Sequence, residues 1–151
     1  MSSKTLIGFI SVGVIAGLVL GLYFIDVKNT NQLVFVSGPS ISVVTEKFDF
    51  KKGEEIKIRV VNSGTTPLTF SDSSYGLKIT GLSGVLIYSP KISHDSFDLY
   101  KLEPLEEVEI IWDQIKNDGD PTLEGLYKIH SMGYDPNENK IEKSTTITIW
   151  K

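Results

Sequence analysis

Cysteine is absent from this chain of 151 residues. That absence excludes disulfides, thiolate metal sites and a cysteine nucleophile together. Histidine is nearly absent: His94 and His130 are the only two, and no H-E-x-x-H pair, paired histidine spacing or glycine-rich phosphate loop accompanies them. Arginine occurs once, at Arg59, and the 15 basic residues are outnumbered by 19 acidic ones. An acidic chain so poor in arginine is unsuited to nucleic acid, which is held through its phosphates. There is no Asn-x-Ser/Thr sequon either, so glycosylation gives no guide to topology.

One long stretch is free of charge. Thr5 to Ile25 reads TLIGFISVGVIAGLVLGLYFI, and 21 residues at helical rise span about 31 Å, close to the hydrocarbon thickness of a bilayer. The expectation is a transmembrane helix over residues 1–25, followed by a short tether, 26–32, and one domain over 33–151. A cleavable signal peptide is the main rival, but the apolar run continues through Leu22, Tyr23, Phe24 and Ile25 into Asp26 with no Ala-x-Ala-like site. A pilin-like leader is a third reading, from which Lys4-Thr5-Leu6 departs. Gly13, Gly17 and Gly21 recur every four residues and would line one helix face, open to close approach by another helix. The competing explanation is that glycine is simply frequent in membrane helices. Lys4 and the α-amino group precede the run, while Asp26 and Lys28 cancel after it. The positive-inside rule then places the N-terminus in the cytoplasm and the C-terminal domain outside a cell membrane crossed once. The tether of seven residues reaches at most about 25 Å, which keeps the domain near the bilayer lipid.

Residues 1–25 contribute one of the 15 basic residues and no acid, so the remainder carries 14 basic and 19 acidic residues and a net charge of −5. Its 126 residues suffice for one domain and not two. Apolar positions fall into short runs rich in Val, Ile, Thr and aromatics, divided by Gly, Pro, Asn, Asp and Ser, which is an all-β pattern. Strands are expected at Leu33 to Val36, Ile41 to Thr45, Ile56 to Val61, Leu68 to Phe70, Leu77 to Thr80, Val85 to Tyr88, Val108 to Trp112, Leu126 to Ser131 and Thr145 to Trp150. Alternation such as Ile56, Ile58 and Val60 against Lys57 and Arg59 implies one buried and one wet face. Turns are expected at Lys52-Gly53, Asn62-Ser63-Gly64, Asn117-Asp118-Gly119 and Asp135-Pro136-Asn137. Nine short strands suit a sandwich.

Phe50 to Gly64 with Pro67-Leu68-Thr69-Phe70, and above all Leu102-x-Pro104-x-Glu106 leading to Trp112-Asp113, Gly119 and Gly125-Leu126-Tyr127, resemble the immunoglobulin-like domains of the intracellular proteinase inhibitor (BsuPI) type. The second motif also resembles flagellar hook-cap Ig-like domains. The resemblance covers roughly residues 48–150 and implies an Ig-like antiparallel β-sandwich, with Trp112 closing the core, Gly119 and Gly125 permitting the loop and Tyr127 pointing inward. Two positions depart from the family pattern: Leu105 stands where glycine is usual, and Leu123 where proline is usual. Proteinase inhibition carries over less directly than the fold.

Chemistry-bearing clusters have bland alternatives. His130 with Met132 lacks the thiolate and second histidine of a blue-copper site, and is expected on the strand face opposite Ile129. Ser93-His94-Asp95-Ser96 holds hydrolytic residue types, but neighbours in one loop do not form a triad. Asn117, Asp118, Asp120 and Glu124 resemble calcium ligands without EF-hand spacing, and a solvated turn explains them. Glu103, Glu106, Glu107 and Glu109 would keep an outer face wet. Pro90 to Leu102 is the longest expected irregular stretch, and its Phe97, Leu99 and Tyr100 are either a partner contact or core. No catalytic set, cofactor site or metal site is expected. The leading expectation is a non-catalytic accessory subunit docked among integral membrane proteins of a larger complex. The alternative is an anchored binding module, inhibitor-like or attached to a cell-envelope protein. Lysine over arginine, abundant isoleucine and no cysteine suggest a low-GC prokaryote, such as an archaeon.

Overall fold

Alternation of apolar and polar residues decides the frame. In Ile56–Asn62 the side chains of Ile56, Ile58 and Val60 are buried while Lys57 is exposed, and in Lys140–Trp150 Ile147 and Ile149 are buried between outward threonines. A period of two permits only an extended backbone with one face inward. The computed structural model describes residues 33–91 and 100–151, and among them every regular element is a strand. In chain order these are β1 (Ile41–Thr45), β2 (Asp49–Lys51), β3 (Ile56–Asn62), β4 (Leu68–Phe70), β5 (Lys78–Gly81), β6 (Leu86–Tyr88), β7 (Tyr100–Leu102), β8 (Glu107–Trp112), β9 (Gly125–Tyr134) and β10 (Lys140–Trp150). The expected transmembrane helix, the tether, Gly13, Gly17 and Gly21, and also His94, Phe97 and Leu99, lie outside the described residues.

Two sheets form a β-sandwich-like fold. The smaller has the order β1-β3-β8; the larger runs β2-β10-β9-β4-β7, with β5 pairing both β9 and β6. All pairings are antiparallel except β2 with β10. The chain changes sheets between Thr45 and Asp49, because β1 pairs with β3 whereas β2 joins β10. One hydrophobic cluster draws on both sheets: Val43, Ile56, Ile58, Val60 and Trp112 from the smaller, Phe50, Leu68, Phe70, Ile79, Ile129, Ile147 and Ile149 from the larger. Apolar burial of this kind is the main force that holds two sheets face to face.

The ends of such a fold expose backbone groups, and Asn62 closes one of them. Its fully buried amide donates to Thr66 O and Leu102 O, both at 2.9 Å, and accepts from Gly64 N at 3.0 Å. Gly64 must lack a side chain, since a Cβ there would lie 2.2 Å from Gly38 O. Leu105 N donates to Asn62 O at 3.0 Å, and the tight turn this requires gives Leu105 a φ of 71°. The position where the sequence departs from the resembled pattern, leucine for glycine, is therefore one of left-handed backbone.

Leu33 to Val36, expected as a strand, is irregular; its one ladder-like bond is Val36 N to Ser63 O at 2.9 Å. Two strands were not expected. In β2 a single buried Phe50 stands between charged residues, too little to signal a strand, and β7 takes Tyr100 out of the expected irregular stretch. Strands β9 and β10 pair over ten positions, from Lys140↔Tyr134 to Ile149↔Gly125, so both exceed their expected lengths. The hairpin between them turns on Asp135, whose carboxylate accepts from Asn137 N, Asn139 N and Asn139 Nδ2.

A left-handed conformation costs a side-chain-bearing residue on the order of 1 kcal/mol, and exposed Leu105 recovers little of it by burial. Leu105→Gly is expected to raise the stability of the domain by about 1 kcal/mol, read as a higher urea midpoint with unchanged slope.

Candidate functional site

Trp112 ends β8 with no exposed surface, its indole N–H bonded to Ile115 O at 2.9 Å. Tyr88 stacks on it at 5.9 Å and Tyr127 meets it edge-on at 6.2 Å. The Tyr127 hydroxyl donates back to Leu123 O at 2.7 Å, and burial pushes its pKa up. This corner requires Gly125, whose φ of 150° is one that side chains disfavour. Trp112, Gly125 and Tyr127 thus form one structural joint with no group presented to a ligand.

Gln114, two residues on, went unnoticed in the sequence. It is buried, takes a left-handed φ of 62°, and its amide accepts from Gly53 N and donates to Lys51 O and Glu54 O, each at 2.8 Å. A glutamine after Trp-Asp in a polar stretch reads as a surface loop, and nothing in its neighbours signals partners some 60 positions away in the chain. Its role is to join the β2–β3 turn to the end of β8.

Asp118 and Asp120 serve their own turn. Lys116 bridges Asp118 at 3.2 Å and Asp120 at 3.5 Å, Asp118 also accepts from Asp120 N at 3.0 Å, and Gly119 supplies a φ of 90°. The backbone bond from Asp120, then the Lys116 ammonium, holds the Asp118 carboxyl below the usual range. An open groove beside this turn is lined by Tyr88, Lys91, Ile111, Lys116 and Asn117. Asn117 closes one side of it by accepting from Ser89 N at 3.1 Å. In the second acidic cluster Glu106 caps Glu103 N at 2.8 Å, and Glu107 pairs with Arg59 at 3.1 Å. Among the described residues no three His, Asp or Glu side chains converge as metal ligands.

His130 lies on the face of β9 opposite buried Ile129, half-buried, with Nε2 3.1 Å from Thr80 Oγ1. Lys128 and Glu142 are the charges that act on it; partial burial, then Lys128, lowers its pKa, with Glu142 opposing. Tyr100 is half-buried in β7, opposite Phe70 in register and edge-on to Tyr75 at 5.7 Å. It packs against the core cluster. The structure therefore brings Trp112, Gly125 and Tyr127 together, leaves His130 apart from the acidic turns, and places Tyr100 on a strand.

Removing the Gln114 amide takes this partner from Gly53 N and Glu54 O and leaves Lys51 O with only its bond from Glu54 N. Gln114→Ala is expected to cost about 2 kcal/mol, measured by urea unfolding against the parent chain. A histidine whose folded pKa lies below its unfolded one favours the native state above about pH 6.5 and loses that contribution as pH falls through the folded value. Stability should therefore fall slightly between pH 7 and pH 5, and the His130→Gln chain should show a shallower fall; equal slopes would exclude His130 as the source. A scan against protein-family models matches none for this chain, and a search of curated proteins finds no match either.

Proposed function

We propose that this protein is a non-catalytic accessory subunit of a membrane complex, its N-terminal helix docked among integral membrane proteins and its sandwich bracing their extracytoplasmic face. The observation that carries the reading is the uncharged run Thr5 to Ile25 with glycines at 13, 17 and 21. Small residues at four-residue spacing allow helix backbones to approach closely, and packing rather than hydrophobicity drives association in lipid. The domain adds indirect support. Its best-placed polar groups, Asn62, Gln114 and Asp135, are each satisfied by neighbouring backbone, which suits a rigid brace.

We read the sandwich as Ig-like and of the proteinase-inhibitor type. The strand order supports this: β1, β3 and β8 correspond to A, B and E, while β10, β9 and β5 correspond to G, F and C, with β6 as C′. The bond from Tyr127 to Leu123 O matches the tyrosine corner that marks the start of strand F. An anchored binding module, inhibitory or fastened to a cell-envelope protein, is the second reading, supported by that same family resemblance.

Replacing Gly13, Gly17 and Gly21 with leucine removes the close-packing face without weakening membrane partition. Purified in mild detergent from its native membrane, the parent chain should bring integral membrane proteins in fixed ratio and the triple variant should lose them. Undiminished co-purification would sink helix docking, and recovery of surface proteins alone would favour the binding module.

A further inference from the structure

One end of the sandwich carries a row of apolar side chains that the core does not use. Leu82 is 67 % exposed, Trp150 50 %, and Val85, Leu86 and Leu126 are exposed as well. The sheet register gathers them. Gly81 pairs with Tyr127, whose ring is inside, so the adjacent Leu126 points outward. Leu126 pairs with Thr148, two positions before Trp150, and Leu86 sits opposite Thr80, itself opposite Lys128. Leu82 and Val85 form the intervening β5–β6 turn. Beside Trp150, Lys51 holds its ammonium 5.9 Å from the indole, and Lys52 and Lys151 are exposed. Asp49, Glu55, Asp113, Asp118, Asp120 and Glu124 are exposed at this end of the strands too, so the exposed apolar row rather than net charge marks this surface. An exposed apolar cluster of this extent marks a contact surface.

The path of the chain into the domain says what the surface meets. Val36 bonds to Ser63 next to the start of β1, while Leu33 lies beside Val43 and Val44 of β1 and Ser144 and Thr145 of β10. Going back from Val36 to Leu33, the chain therefore runs toward the Thr45 and Trp150 end. Thr5 to Ile25, the uncharged run, precedes that entry by only seven residues, which reach about 25 Å at most.

We infer that the Trp150 end is a lipid-contact face, seated on the bilayer surface with Leu82, Val85, Leu86, Leu126 and the indole in the interfacial layer and Lys51, Lys52 and Lys151 among the headgroup phosphates. This rests on residues 5–25 being a retained anchor. Amphipathic rings and lysine stems are the side chains that settle at that depth.

Trp150 and Trp112 are the only tryptophans, and Trp112 is wholly buried, so the emission divides into an interrogated and a shielded part. The full chain is reconstituted into vesicles of phosphatidylcholine and phosphatidylglycerol, floated after alkaline carbonate washing, and compared in lipid with and without bromine near the headgroup end of the acyl chains. Flotation with bromine quenching of the Trp150 emission, absent in Trp150→Phe and reduced in Leu82→Ser/Leu126→Ser, is the expected result. Flotation with Trp150 quenched by aqueous acrylamide and not by bromine overturns the lipid face and leaves the anchor standing. A chain stripped from the vesicles by carbonate overturns the anchor and this inference with it.

Discussion

A sandwich is open at both ends of its strands, and this one is closed at each end of the β3–β8 pair by a single buried amide. Gln114 sits beyond Trp112, opposite Ile56 in register, and Asn62 lies at the other end of β3. Each amide uses its oxygen and both hydrogens on backbone groups of turns and strand ends. Buried amides are tolerable only when fully satisfied, because an orphaned donor or acceptor forfeits its hydration without return. The hydrophobic cluster supplies the driving force, but it is indifferent to how one sheet slides over the other. These six hydrogen bonds tie particular loops to particular strand ends at the two ends of β3.

The alternating strands were legible because side-chain period and burial agree along them: Ile56, Ile58 and Val60 face the core as their spacing demands. The joint of Trp112, Gly125 and Tyr127 was legible through a family pattern, and Leu105, which breaks that pattern, adopts the left-handed backbone that a glycine there would serve. What was hidden depends on distance along the chain. Gln114 and the Thr80 partner of His130 make contacts separated by 50 positions or more. No local composition encodes them. Strand β2 was hidden for another reason, since its one inward residue, Phe50, finds its place by parallel pairing with β10 and not by any periodicity of its own.

Charge contributes little to holding the fold. The ion pairs among described residues, including Arg59 with Glu107 and Lys101 with Glu103, join side chains that are substantially exposed. Such pairs in water add little stability. Their arrangement matters more than their strength. Glu103, Glu106 and Glu107 stand at the Asn62 end, and the Asp135 hairpin with Glu138 belongs to it as well. Exposed Leu105 and Val36 stand among them.

The two ends differ in which apolar side chains they expose: Val36 and Leu105 stand beside Ser63 and Asn62, and Leu82, Val85, Leu86 and Trp150 stand at the other end. Around Asn62 the turns are tied by carboxylates and serines, with Ser63 bound by Ser40 and Ser42. Around Gln114 a turn also tied by carboxylates, Lys116 with Asp118 and Asp120, accompanies turns that project Leu82, Val85 and Trp150. A domain free in solution gains nothing from such polarity, because both ends meet the same water and exposed apolar surface there only promotes association. A domain held in one orientation does gain, since its two ends then meet different surroundings. The β9 ladders with β10 and β5 hold that arrangement, for their register puts Leu126 outside and Tyr127 inside. A slip of one residue in β9 would exchange them.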